Sequence, residues 1–172
     1  MRHANLVATL LRYGADPNLS HHGWTVLTST LRSRHENDGR YNENYAPIVR
    51  LLLEAGANPN PSLVSKSPLQ LAVERDHGID VVNMLLTAGA DVNAVGSQEA
   101  VIFDMESADQ ERSARGDRRN IESYYDTPLM IAEKMINNFE KFTVWDKKKF
   151  ERFMELQRLL VQDGGVAHSR LR

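Results

Sequence analysis

Histidine is the residue type in this chain best suited to metal binding or proton transfer, and two of its six copies are adjacent. His21 and His22 stand side by side, whereas the other four are scattered along the 172 residues. A zinc site needs three or four ligands at defined spacings, and no such set accompanies this pair. The absence of cysteine excludes thiolate metal sites, disulfides and cysteine nucleophiles. We therefore expect neither a metal nor another cofactor.

Recognisable catalytic motifs are absent as well. The sequence contains no Gly-x-Ser-x-Gly elbow, no His-Glu-x-x-His pair, no phosphate-binding glycine loop and no dinucleotide fingerprint. A catalytic group assembled from distant residues is defined by geometry rather than by sequence order, so a motif search does not detect one. With no motif in hand, we assign no catalytic residues and do not expect an enzyme.

The charge balance argues against nucleic acid and membranes as partners. The chain has 21 basic and 23 acidic residues, a net charge of −2, within an ordinary globular composition. No global positive field therefore attracts it to an anionic polymer or lipid surface. No apolar run approaches the roughly 18 residues of a membrane span, and Met1–Leu11 lacks a signal-peptide core. We expect an intracellular protein, cytoplasmic or nuclear.

A short glycine motif recurs three times, each time after an apolar helical pattern. Tyr13–Asn18, Ala55–Asn60 and Ala88–Asn93 share the pattern Gly-Ala-Asx-x-Asn, and their glycines are 42 and 33 residues apart. The apolar residues before each glycine are spaced i, i+1, i+4, i+5, which is one face of a helix. Glycine commonly ends a helix in a left-handed conformation, and the residues that follow favour a turn. Each unit is thus predicted to end as helix, glycine stop and turn.

A second motif marks the start of a helix. Thr25–Leu27, Ser67–Gln70 and Thr127–Leu129 each begin with a hydroxyl residue, and proline follows it in the last two. A hydroxyl side chain caps a helix, and proline at the first helical position sacrifices no hydrogen bond. Ser67 and Gln70 also have the spacing of a capping box. The two motifs together predict repeating pairs of helices.

These motifs resemble the ankyrin repeat, in which a helix opening with Thr-Pro-Leu is followed by a second helix that closes on Gly-Ala-Asp-x-Asn. The resemblance implies an all-α ankyrin-repeat solenoid of stacked helix-turn-helix units with short β-turn connections. Ser67–Gly89 is the most regular copy. We divide residues 1–172, a single domain, into a partial repeat (1–20), repeats 21–62 and 63–95, a terminal repeat (124–165) and a tail (166–172).

Three insertions interrupt this pattern. Residues 33–45 are polar and lack periodicity, and residues 96–123 alternate in charge, so both are predicted to be loops. Residues 137–149 are predicted to separate the two helices of the terminal repeat. Long loops in compact domains are often binding elements or disordered.

The resemblance also implies a protein partner, bound by the turn tips and the first helices of the repeats. Carried onto this chain, the turn-tip candidates are His21, His22, Trp24, Leu63, Val64, Lys66, Tyr124 and Asp126, and the first-helix candidates are Arg32, Glu74, Arg75 and Lys134. Trp24, Tyr124 and Arg32 are expected to contribute most, because such side chains bury a large area or donate several hydrogen bonds.

Two other interpretations stay open. In the first, the chain is an enzyme or a small-ligand-binding protein whose insertions close over the groove, with Tyr124 and Tyr125 lining a pocket. In the second, it is a capping or regulatory segment of a longer chain, because no first helix precedes the apolar Leu6–Leu10 stretch. The sequence predicts neither the identity of a partner nor the oligomeric state.

Overall fold

The architecture is seen in a computed structural model, which describes residues 2–32, 45–62, 64–97, 126–141 and 147–165. Within these ranges lie seven helices and one short β-ribbon. They are α1 (Arg2–Arg12), β1 (Ser20–His21), β2 (Trp24–Thr25), α2 (Val26–Arg32), α3 (Tyr45–Glu54), α4 (Pro68–Glu74), α5 (Ile79–Thr87), α6 (Pro128–Lys141) and α7 (Lys147–Gln162).

The helices stack in two layers. In the first-helix layer, α2 contacts α4 and α4 contacts α6, and in the second-helix layer α1, α3, α5 and α7 follow one another in the same way. The layers are joined within each unit, where α2 packs on α3, α4 on α5 and α6 on α7. The predicted solenoid of stacked helix-turn-helix units is therefore confirmed.

Leucines at equivalent positions fill the space between the two layers. One lies two residues after each helix cap, and another lies four residues before each stop glycine. Nearly all of their surface is buried: Leu27, Leu69 and Leu129 in the first helices, and Leu52, Leu85 and Leu160 in the second. Leu10 holds the second position in α1 but is 52% exposed, because none of the described first helices packs against it there. Burial thus follows position in the stack rather than residue type.

Helix α4 begins with the predicted capping box. The Ser67 hydroxyl accepts a hydrogen bond from the Gln70 amide at 3.1 Å, and the Gln70 side-chain oxygen accepts one from the Ser67 amide at 2.7 Å. In α2, Thr25 and Thr28 exchange the equivalent bonds, at 3.1 Å and 2.8 Å. Backbone N–H groups at both helix starts are thereby satisfied before the helical bonds begin.

An asparagine ladder connects the turns of successive units. Each stop glycine has a positive φ of 86–89°, as the sequence predicted. The asparagine four residues after it donates to the carbonyl of the next unit's stop glycine. The bonds run from Asn18 to Gly56 (2.9 Å), from Asn60 to Gly89 (2.7 Å) and from Asn93 to Gly164 (3.2 Å). The last of these spans 71 residues of sequence, so the terminal unit stacks in the same way as the others.

The insertions differ in part from the sequence prediction. Helices α6 and α7 have 14 and 16 residues, against 7 and 9 in α4 and α5. Residues 137–141 and 147–149 therefore lengthen the terminal helices instead of only separating them. Tyr45, expected in the first loop, begins α3. The rest of that loop, residues 98–123 of the second and the tail 166–172 lie outside the described residues.

His77 links the turn between α4 and α5 to the end of α2. Its Nε2 atom lies 2.6 Å from the Leu31 carbonyl oxygen, and its ring meets the Tyr45 ring edge-on, with 5.4 Å between centroids. Burial lowers the pKa of His77; the bond to Leu31 partly opposes this, and the charge of Arg75 adds to the lowering. The neutral ring, with its proton on Nε2, donates to the carbonyl.

This burial predicts a pH-dependent contribution to stability. The unfolded chain takes up a proton on His77 below its ordinary pKa of about 6.5, whereas the folded chain resists it. Stability from this residue is therefore fully present above about pH 6.5 and falls as the pH drops toward the lower folded pKa. Urea unfolding of His77→Gln should show a flatter slope of stability against pH over this window, and about 1 kcal/mol lower stability at pH 8. The exposed His3→Gln control should keep the wild-type slope, and equal slopes in all three proteins would contradict the assignment.

Candidate protein-binding face

The β1–β2 hairpin carries the first turn tip. Its strands pair antiparallel, with His21 opposite Trp24. The two residues between them, His22 and Gly23, have φ of 50° and 72°. Positive φ at both positions is typical of the tight turn that suits the twist of a two-residue hairpin. His21 and His22 are exposed, with 3.9 Å between their ring centroids, so the turn presents two imidazoles to solvent.

Six of the candidate residues form three side-chain pairs with one common geometry. Each joins the residue just before a helix cap to the seventh residue of the first helix, eight positions later; we name them tip–helix pairs. They are Trp24 and Arg32, with the guanidinium carbon 4.3 Å from the ring centroid; Lys66 and Glu74, with 2.6 Å between Nζ and Oε2; and Asp126 and Lys134, with 2.7 Å between Oδ2 and Nζ.

The tip–helix pairs differ in charge. In the third repeat the cation, Lys66, is at the tip and the carboxylate is on the helix, whereas the terminal repeat reverses this order. Both of these pairs are neutral as a whole. The pair of the second repeat has an aromatic ring at the tip, and among the described residues no carboxylate pairs with Arg32. Positive charge not balanced by a carboxylate among the described tip–helix pairs is therefore located at Arg32, beside the Trp24 ring.

Three of the turn-tip candidates are buried. Val64, Lys66 and Asp126 are exposed by only 2%, 7% and 4%. The start of the segment expected as a loop covers the third repeat's tip, since the Ser97 amide donates to the Val64 carbonyl at 2.8 Å. These three side chains are therefore largely inaccessible to a partner in this structure. Leu63 and Tyr124 lie outside the described residues.

Arg75 lies apart from the tip–helix pairs. It is the C-cap of α4, at the end of the helix away from the tip, and its charge acts on His77. Glu74, one residue earlier, is the helix member of a pair. These neighbours thus differ in role, although the sequence alone grouped them together.

The pairing itself was not predicted, although a signal for it is present. The constant offset of eight residues is visible in the sequence, and two of the three pairs combine opposite charges.

His21 and His22 do not belong to a larger cluster of potential metal ligands. Among the residues that the structure describes, no group of three or more His, Asp or Glu could hold a metal ion. None of the described helices is long and apolar enough to cross a membrane.

Comparison with known proteins identifies the family. A family model for ankyrin repeats matches residues 1–95 with three copies. The chain belongs to the ankyrin-repeat family. It is also 36% identical over 99 residues to human ankyrin repeat and MYND domain-containing protein 1. That match covers 54% of this chain but 10% of the relative, so the chain spans about a tenth of that protein's length. Ankyrin repeats are generally protein–protein interaction modules.

Proposed function

We propose that this ankyrin-repeat protein binds a protein partner through the β1–β2 hairpin and the adjoining first-helix layer. The observation that carries the proposal is the Trp24–Arg32 pair, because tryptophan and arginine dominate the energetics of protein interfaces. Trp24 is half-buried and Arg32 is exposed, beside the exposed His21 and His22. A partner laid across the hairpin would contact all four side chains.

The contact between Trp24 and Arg32 also prepares the surface for binding. A cation over an aromatic ring at an exposed site contributes roughly 0.5–1 kcal/mol, which favours one arrangement of both side chains. Side chains that are already ordered lose less conformational entropy when a partner arrives. The pair therefore favours binding in two ways, through the area it offers and through its order.

A second surface feature, an open groove, lies away from the Trp24–Arg32 pair. This groove of about 450 Å³ lies along the contact between α5 and α7. It is lined by Asn83, Leu86, Thr87, Ala90, Val92, Leu159 and Asp163, all in or next to the second-helix layer. The alternative of an enzyme or ligand-binding pocket relied on Tyr124 and Tyr125, which lie outside the described residues.

The test uses peptides selected from a random display library on the purified chain. Trp24→Ala should weaken their binding by about thirtyfold or more, the effect of an interface hot spot. Tyr13→Ala is the matched control, because Tyr13 is an aromatic residue, 81% exposed, at the end of α1 in the second-helix layer. Peptides that respond to Tyr13→Ala but not to Trp24→Ala would contradict the proposal.

A structural effect of the variant can be separated from a binding effect. Trp24 also packs against the core, so Trp24→Ala is expected to lower the melting temperature somewhat. Binding is therefore measured well below that temperature, with far-ultraviolet circular dichroism as the check on folding. Trp24→Phe keeps an aromatic ring and should retain much of the affinity, whereas loss of binding only in variants that unfold would assign Trp24 to the core alone.

A further inference from the structure

We infer that Trp24 and Arg32 form a docking site for a carboxylate of an acidic partner peptide. The inference rests on the proposed function and names the chemistry of the partner. Its first support is the charge of the tip–helix pairs, which contain three cations and two carboxylates. Glu74 and Asp126 each bind a lysine, at 2.6 Å and 2.7 Å. Arg32 is the cation of these pairs that has no carboxylate partner among the described residues.

The second support is the way in which the guanidinium is held. The guanidinium carbon of Arg32 lies 4.3 Å from the centroid of the Trp24 ring. Among the described residues, this ring is the group that the guanidinium contacts. A guanidinium has five N–H donors, and a contact with a ring satisfies few of them. Carboxylates match the remaining donors, because two parallel N–H groups can bind both oxygens of one carboxylate.

The same arrangement favours an acidic peptide over nucleic acid. Tight binding of a phosphate backbone needs several cations that follow the strand. Along this face the next cations, Lys66 and Lys134, are already paired with Glu74 and Asp126, so these pairs offer no net positive charge to a phosphate backbone. A single carboxylate needs only one arginine. The exposed imidazoles of His21 and His22 on the same hairpin add surface for the residues beside it.

The experiment starts from the peptides selected on the full chain. We expect them to be enriched in aspartate or glutamate, and changing the decisive acid to its amide should weaken binding about tenfold, the effect of losing one charge-assisted hydrogen bond. In Arg32→Gln the same peptide change should have almost no effect, because its target is gone. Arg32→Lys keeps the charge but cannot bind both carboxylate oxygens through two parallel N–H groups. In this variant the effect of the acid-to-amide change should be intermediate between that in the wild-type chain and that in Arg32→Gln.

A charge control completes the set. Arg50→Gln removes the same charge from an exposed position on α3, in the second-helix layer, and should leave affinity unchanged. Peptides that lose binding in Trp24→Ala yet show no preference for acids, or no coupling to Arg32, would overturn this inference and leave the proposed function standing. Failure to select any peptide that depends on Trp24 or Arg32 would count against both.

Discussion

Replacing Gly96 with alanine is expected to lower the free energy of unfolding by roughly 3 kcal/mol or more, the scale of a severe steric clash in a packed region. A Cβ atom at this position would lie 1.8 Å from the Ser65 carbonyl oxygen and 2.6 Å from its carbon. Both are backbone atoms, so no change of rotamer relieves the overlap. Urea unfolding of the full chain measures the loss.

Gly89→Ala is the matched control for this prediction. Gly89 has a φ of 86°, but nothing lies within 4 Å of the Cβ that alanine would add. Its substitution introduces only the strain of a left-handed alanine, about 1–2 kcal/mol. A Gly89→Ala loss as large as that of Gly96→Ala would show that backbone conformation, and not the close approach to Ser65, determines the sensitivity of these turns.

Gln70→Ala is expected to be nearly as damaging, by about 2–4 kcal/mol, because two buried groups lose their partners. The Gln70 side chain is fully buried. Its oxygen accepts from the Ser67 amide at 2.7 Å, and its nitrogen donates to the Asp126 carbonyl at 2.6 Å. Alanine would leave both groups buried without these bonds and a cavity beside them. Thermal and urea unfolding report the change.

The control for Gln70 comes from the ankyrin pattern itself, which has histidine at this place in its Thr-Pro-Leu-His motif. One ring nitrogen of Gln70→His can accept from Ser67 while the other donates to Asp126. We expect this variant to retain most of the stability lost in Gln70→Ala. If both variants are equally unstable, the shape of the side chain matters more than its hydrogen bonds.

The features that the sequence predicted well depend on residues close together along the chain. A stop glycine such as Gly56 and the capping box of Ser67 and Gln70 are each decided within about five residues. The lengthening of α6 was not predicted, although Ile136 continues the apolar spacing of Leu129 and is buried in the same core. Such local signals are sufficient to predict the fold.

The features that the sequence did not predict depend on contacts between distant segments. Val64 is buried because the chain returns over it at Ser97, and no local pattern announces that contact. Trp24 and Arg32 were each predicted to be interface residues, but their stacking depends on how a hairpin tip faces the end of a helix. Whether a side chain is exposed, and which side chain it contacts, depends on how the units stack. The structure is therefore needed to show which candidate residues are accessible.

The asparagine ladder recognises only main chain, since each rung ends on the carbonyl of a stop glycine. Every unit offers the same carbonyl, so the ladder holds neighbours together without specifying which unit comes next. Correct order has to be encoded by contacts between side chains that differ from unit to unit, such as the ion pair of Arg152 with Asp76 or the edge-on rings of Tyr45 and His77. One set of bonds therefore holds neighbouring units together, and a different set of contacts determines which units are neighbours. A unit could be duplicated or exchanged during evolution without rebuilding the ladder, provided that its side-chain contacts are matched anew.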